Sequence, residues 1–226
     1  MKKQKFYILL ASLSTLILIG GLSFNGKALS ANLNSAQESL QEDRHLSSLQ
    51  FNLAQSPSTY SGYTRVTDNE EKITMQVPVE WNDIETDKWT YRGRNVGVYV
   101  AASTDLGKFY AHRSQSGIFI GVSHALQSAY GKEGLLGLEK RDLSNRCRYK
   151  GRLDYQNLFY TGQYDQYSNC TMGAPNLLVF TTTSADQKSV IMLQIVVVSQ
   201  ADLEAANRIL SSFQVLGDPE IDDHDE

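Results

Sequence analysis

Residues Val190–Val215, VIMLQIVVVSQADLEAANRILSSFQV, decide how this chain folds. The first nine residues are apolar except for Gln194, and six of them are β-branched. A run of that length and kind reads as a strand covered on both faces, in the middle of a sheet. The pattern then changes period. Ser199 is an N-cap residue, and Leu203, Ala206, Ile209, Leu210 and Phe213 recur at i, i+3, i+6, i+7 and i+10. Those positions share one face of a helix. A helix that must bury its face beside a strand that needs covering implies helix packed on sheet.

The other expected elements agree. Thr64–Asp68 and Ile73–Val77 read as short strands around a turn, with Pro78 ending the second. Val96–Ser103, Gly117–Ser123 and Leu177–Thr183 read as further strands. Asp105 caps a short helix through Tyr110, and Ala125–Leu138 reads as a helix weakened by Gly131, Gly134 and Gly137. Trp81 and Trp89 fall in what reads as a loop of acids and amides. The class is α+β, a single domain with a mainly antiparallel sheet and helices on its faces. The expected boundaries are 1–30 a signal segment, 31–61 a polar linker, 62–217 the domain and 218–226 an acidic tail.

Export is read from the N-terminus. Lys2, Lys3 and Lys5 precede an apolar run from Phe6 to Phe24, and Ala28 and Ser30 place small residues before a cleavage after Ser30. That is the layout of a secretory signal peptide. The same 19 residues would just span a bilayer, so a retained membrane anchor stays open. The whole chain has a net charge of −4, and losing residues 1–30 removes four lysines and no acids, leaving about −8. An acidic exported chain does not suit nucleic acid or an anionic membrane surface.

The chain has two cysteines, Cys147 and Cys170. In an exported protein they read as one disulfide. No CxxC pair is present, and His45, His112, His124 and His224 lack metal-ligand spacing. No metal or cofactor is expected. If Cys147 and Cys170 pair across two antiparallel strands, opposite positions sum to 317. Arg148, Lys150, Arg152 and Asp154 then line a wet face, opposite Asn169, Tyr167, Asp165 and Gln163. Tyr149, Leu153 and Tyr155 line a dry one with Ser168, Tyr164 and Gly162.

Residues that could carry chemistry are few. Gly121-Val-Ser123-His124-Ala125 is a degenerate nucleophile elbow, but the only later histidine is His224, in the acidic tail. Ser123 is expected to cap a helix instead. Asp83, Glu85 and Asp87 alternate near Trp81 and Trp89, a carboxylate set that a hydrolase could use. The candidate contact surface is Arg148, Lys150, Arg152, His112 and Trp89.

Several segments together resemble a family. YTRVTDNEEKITMQVPVEW, VGVYVAASTDLGKFY, GIFIGVSHAL, the Cys147–Cys170 block and ILSSFQV are similar to the secreted PsbP-like domains of bacteria, over about Tyr63 to Gly217. Some of those stand alone and some follow a trypsin-like protease domain. The V-P-x-x-W and S-F-x-V segments carry most of the likeness, and neither is catalytic. The resemblance implies an antiparallel sheet with helices on its faces and a non-enzymatic accessory role, as in relatives that serve the photosynthetic oxygen-evolving complex. The expectation is therefore an exported accessory or binding domain whose partner is another exported protein or an envelope component. An envelope hydrolase and a membrane-tethered structural protein are the alternatives.

Overall fold

The computed structural model describes residues 59–170 and 176–216, with only the backbone of His112. The expected signal segment, most of the linker and the acidic tail lie outside these residues. The described chain forms β1 (Tyr63–Thr67), β2 (Ile73–Pro78), β3 (Asp83–Tyr91), β4 (Arg94–Ser103), α1 (Leu106–His112), β5 (Gly117–Ser123) and α2 (His124–Leu143). It continues with β6 (Arg148–Gln156), β7 (Thr161–Ser168), β8 (Asn176–Thr183), β9 (Val190–Val197), α3 (Gln200–Ser212) and β10 (Gln214–Val215). The α+β class is as expected.

A seven-stranded antiparallel sheet runs β3-β4-β5-β9-β8-β7-β6. β9 sits inside it, between β5 and β8, and all eight of its residues are buried. Its side chains divide between two cores. Ile191, Leu193, Ile195 and Val197 join one, while Val190, Met192 and Val196 join the other. A strand covered on both sides has no face on which polar residues would be favoured, hence the unbroken apolar run.

α3 covers the first core. Ser199 Oγ accepts from Asp202 N, and the Asp202 carboxylate accepts from Ser199 N, a reciprocal capping box. Leu203, Ala206, Ile209, Leu210 and Phe213 are all buried in that core, as the spacing predicts. Each of the larger ones contributes roughly 1.5–3 kcal/mol. After Phe213 the chain turns extended, and β10 pairs with β2, which also pairs with β1. This small sheet, β1-β2-β10, shares the first core with α3, so the architecture has a second sheet in addition to the expected one.

α2 and α1 cover the other face. Ser123 is the N-cap of α2, as expected: its Oγ accepts from Leu126 N at 2.9 Å and donates to Val96 O at 2.6 Å. Asp105 caps α1 by accepting from Lys108 N. The expected glycine weakness in α2 is concentrated at Gly131, whose φ of 62° and ψ of 175° interrupt the helix. Only glycine adopts that pair without strain.

The loop expected around Trp89 is a strand, β3. As an edge strand it buries Trp89 alone, so its sequence shows charge where a core strand would alternate. Its turn into β4 is the two-residue Arg92-Gly93, both at positive φ (52° and 78°). That geometry belongs to a tight hairpin turn, which usually announces itself with Asn-Gly or Asp-Gly.

Candidate functional site on the stapled hairpin

Cys147 and Cys170 are joined, with their Cα atoms 3.9 Å apart. The hairpin between them, β6–β7, has the expected register over most of its length. Arg152 faces Asp165, Leu153 faces Tyr164, Asp154 faces Gln163 and Tyr155 faces Gly162, all summing to 317. Near the staple the sum falls to 316, because Tyr149 faces Tyr167 and Arg148 faces Ser168. The extra residue is Lys150, in a bulge beside Gly151. Asn169, left-handed at φ 50°, then adds a residue on the other strand. Two irregularities cancel, and the cysteines meet at 317 again.

The bulge corrects the expected faces. Tyr149 and Arg152 now lie on the same side, since both reach Asp165. Arg148, next to Tyr149, falls on the opposite side from Arg152, so the three basic residues do not form one patch. The expected wet face is also partly dry. α2 packs over β7, and Asp165 and Tyr167 beneath it are fully buried. Tyr155 and Tyr164 are buried on the other side, as expected.

Asp165, 0% exposed, is held by four donors. Arg152 Nε and Nη2 reach its two oxygens at 2.7 and 2.8 Å, with the Tyr149 and Tyr167 hydroxyls at 3.2 and 3.4 Å. The Asp165 hydrogen bonds raise the Arg152 guanidinium above its usual range. Burial, followed by the Asp165 charge, pushes both tyrosine hydroxyls up. Lys140 from α2 lies 3.9 Å from the Tyr149 ring centre. Arg152 is thus committed to the interior and is not a free contact. Arg148 and Lys150 are exposed.

The other end of the hairpin is a rigid turn. Asn157 Oδ1 accepts from Phe159 N and Tyr160 N at 2.8 and 2.6 Å, and Asn157 N donates to Tyr160 O. Asn157 Nδ2 and Tyr155 OH both donate to Leu210 O, the end of α3. The Tyr160 ring stacks on Phe213 with centroids 4.6 Å apart, and its hydroxyl accepts from Val215 N. Held this way, Leu158 and Phe159 project into solvent, 89% and 55% exposed. They were missed in the sequence because two apolar residues at a turn do not say whether they face in or out.

Of the other candidates, Trp89 is buried, edge-on to Phe119 at 5.5 Å, and presents no contact surface. The His112 side chain lies outside the described residues, as do His45 and His224. The carboxylates of β3 each serve a local tie: Asp83 accepts from Leu106 N, Glu85 from Tyr110 OH and Asp87 from Lys88 N. Trp81 and Trp89 belong to different cores, on opposite faces of the large sheet, so these groups do not converge on one cleft.

A cavity of about 420 Å³ lies beside the start of α3, between Tyr60, Glu80, Ser116 and Asp202. Its polar groups mostly satisfy one another. Tyr60 OH donates to Asp202 and accepts from Trp81 Nε1 at 2.9 Å, while the second Asp202 oxygen accepts from Val198 N and Ser199. Burial raises the Tyr60 hydroxyl well above its usual value. This arrangement fastens Tyr60 to α3 and is structural.

No model of a known protein family matches the chain, and no curated protein matches it. Among solved structures, the chain is similar to the solution structure of cyanobacterial PsbP (CyanoP) from Synechocystis sp. PCC 6803. The TM-score is 0.42 at 10% sequence identity, over 72% of this chain and 97% of that one.

Proposed function

We propose that the chain is an exported, non-enzymatic accessory domain that docks on another exported protein through the tip of its stapled hairpin. The observation that carries this reading is the exposed pair Leu158 and Phe159 on a turn that is hydrogen-bonded to α3. A turn already ordered loses little freedom on binding, and large apolar side chains entering a partner's pocket dominate interface energies. Arg148 and Lys150, at the stapled end of β6, add positive charge that would favour an acidic partner only where it spans the hairpin. The disulfide supports an oxidising compartment. Cleavage or retention of residues 1–30 decides between a free and a tethered form.

The test places a photo-cross-linking amino acid at position 158 of the full-length protein in its source cells, and at exposed Ser128 as control. One discrete adduct is expected from 158, lost in Phe159→Asp. The same adducts from both positions would refute the proposal.

A further inference from the structure

Arg113 closes α1 in the left-handed conformation, φ 48° and ψ 28°, with its N–H on Phe109 O. Glycine or asparagine ordinarily takes such a position, because a Cβ there is crowded. An arginine in this place points to a use for its side chain. The guanidinium lies over the Phe109 ring, 5.9 Å from its centre. Its Nη1 is out of water and has no hydrogen-bond partner. A buried cationic donor without an acceptor is disfavoured more strongly than a neutral one.

Arg113 belongs to the wall of a cavity of about 440 Å³ that it shares with Arg141, Arg146, Asn145, Glu139 and Asp142. The charges there do not cancel. Asp142 faces Arg141, with Nε to Oδ1 at 3.7 Å. Glu139 accepts from Gln194 Nε2 at 3.0 Å, and burial pushes its carboxyl above the usual range while the Arg113 charge pulls it down. Burial pushes the Arg113 guanidinium the other way; the charge of Glu139 opposes that shift and the nearby charge of Arg146 adds to it. The C-terminal carbonyls of α2 account for cations at Lys140 and Arg141. They do not account for Arg113, which belongs to a different helix and holds the unfilled donor.

We propose that this cavity binds a small oxyanion, a phosphate or carboxylate group, between Arg113 and Arg146. A planar guanidinium supplies two parallel donors to such a group, and an anion would also relieve the repulsion between the two arginines.

Thermal unfolding of the full-length protein tests it, with inorganic phosphate and acetate as probes and sodium chloride at matched ionic strength as control. A ligand that binds the native state raises Tm as its concentration rises. A saturable rise with phosphate or acetate, not reproduced by chloride, is expected. Arg113→Gly is the decisive variant, because glycine suits the left-handed position and folding is not endangered. Its half-saturating concentration should rise at least about tenfold, the loss of a charge-assisted hydrogen bond, and Arg146→Gln should act in the same direction. An unchanged curve in Arg113→Gly, or a chloride response equal to that of phosphate, overturns the proposal. Co-sedimentation with phosphatidylglycerol vesicles, compared with phosphatidylcholine, tells the source: Arg113-dependent binding assigns the oxyanion to a lipid headgroup, and its absence to a soluble anion.

Discussion

Removing Arg152 should destabilise this protein more than neutralising its partner Asp165, although both changes break the same ion pair. In Arg152→Met the carboxylate of Asp165 stays behind, 0% exposed, with only the Tyr149 and Tyr167 hydroxyls at 3.2 and 3.4 Å. An uncompensated buried charge of this kind costs about 3–5 kcal/mol. In Asp165→Asn the residue left behind is Arg152, whose side chain is 29% exposed and can turn its guanidinium to water. The loss there is about 1–3 kcal/mol, that of hydrogen bonds to a charged group. Replacing both, as Arg152→Met/Asp165→Leu, removes the charge with its partner and should recover most of the larger loss. Urea unfolding at pH 7 with the disulfide intact measures all three, and in thermal unfolding the single variants should differ in Tm by several degrees for a domain of this size. The reasoning fails if Asp165→Asn is the more damaging, or if the double variant is no more stable than Arg152→Met.

Replacing both cysteines with serine should lower stability by about 3 kcal/mol, from the freed closure of the 23-residue separation. Denaturant titration of oxidised protein against this variant checks it. Gly131→Ala should cost about 1–3 kcal/mol through backbone strain alone, since an added Cβ there meets nothing within 4 Å. Gly137→Ala, also open, should be neutral or stabilising in the same titration. Glu139 has its carboxyl raised from the ordinary 4.5 by burial. The folded state therefore holds that proton more tightly, and the stability this confers is present below pH 4.5 and lost as pH rises through the folded value. Glu139→Gln should remove that loss, so that the variant gains on the wild type in Tm measured from pH 4 to pH 8, and parallel curves would contradict the assignment.

Features encoded by neighbouring residues are legible in the sequence. The Val190–Val197 strand follows from a nearly continuous apolar, β-branched run, and the Ser199 cap and the buried face of α3 from a capping residue and a period of 3.6. Ser123 as a cap and the Cys147–Cys170 bond were legible for the same kind of reason, a residue type at a telling position. The hairpin shows where this stops. Its register was right at Arg152 and Asp165, yet its faces were not, because the bulge at Lys150 moves Arg148 away from Arg152 and α2 turns the expected wet side of β7 into an interior. β3 carries charge instead of alternation because an edge strand takes its order from β4, not from its own pattern.

The sequence by itself determined which segments must be buried, and so the α+β class, its caps and its covalent staple. Only the tertiary structure decided which polar groups are buried with them, that Trp89 is core, that Asp165 is paired, that Arg113 Nη1 lacks an acceptor and that the Leu158–Phe159 tip is exposed. The reason is physical. Hydrophobic periodicity is a property of one segment against water, whereas the environment of a charge or an exposed apolar side chain is set by residues distant in the chain, whose positions exist only once the layers have packed.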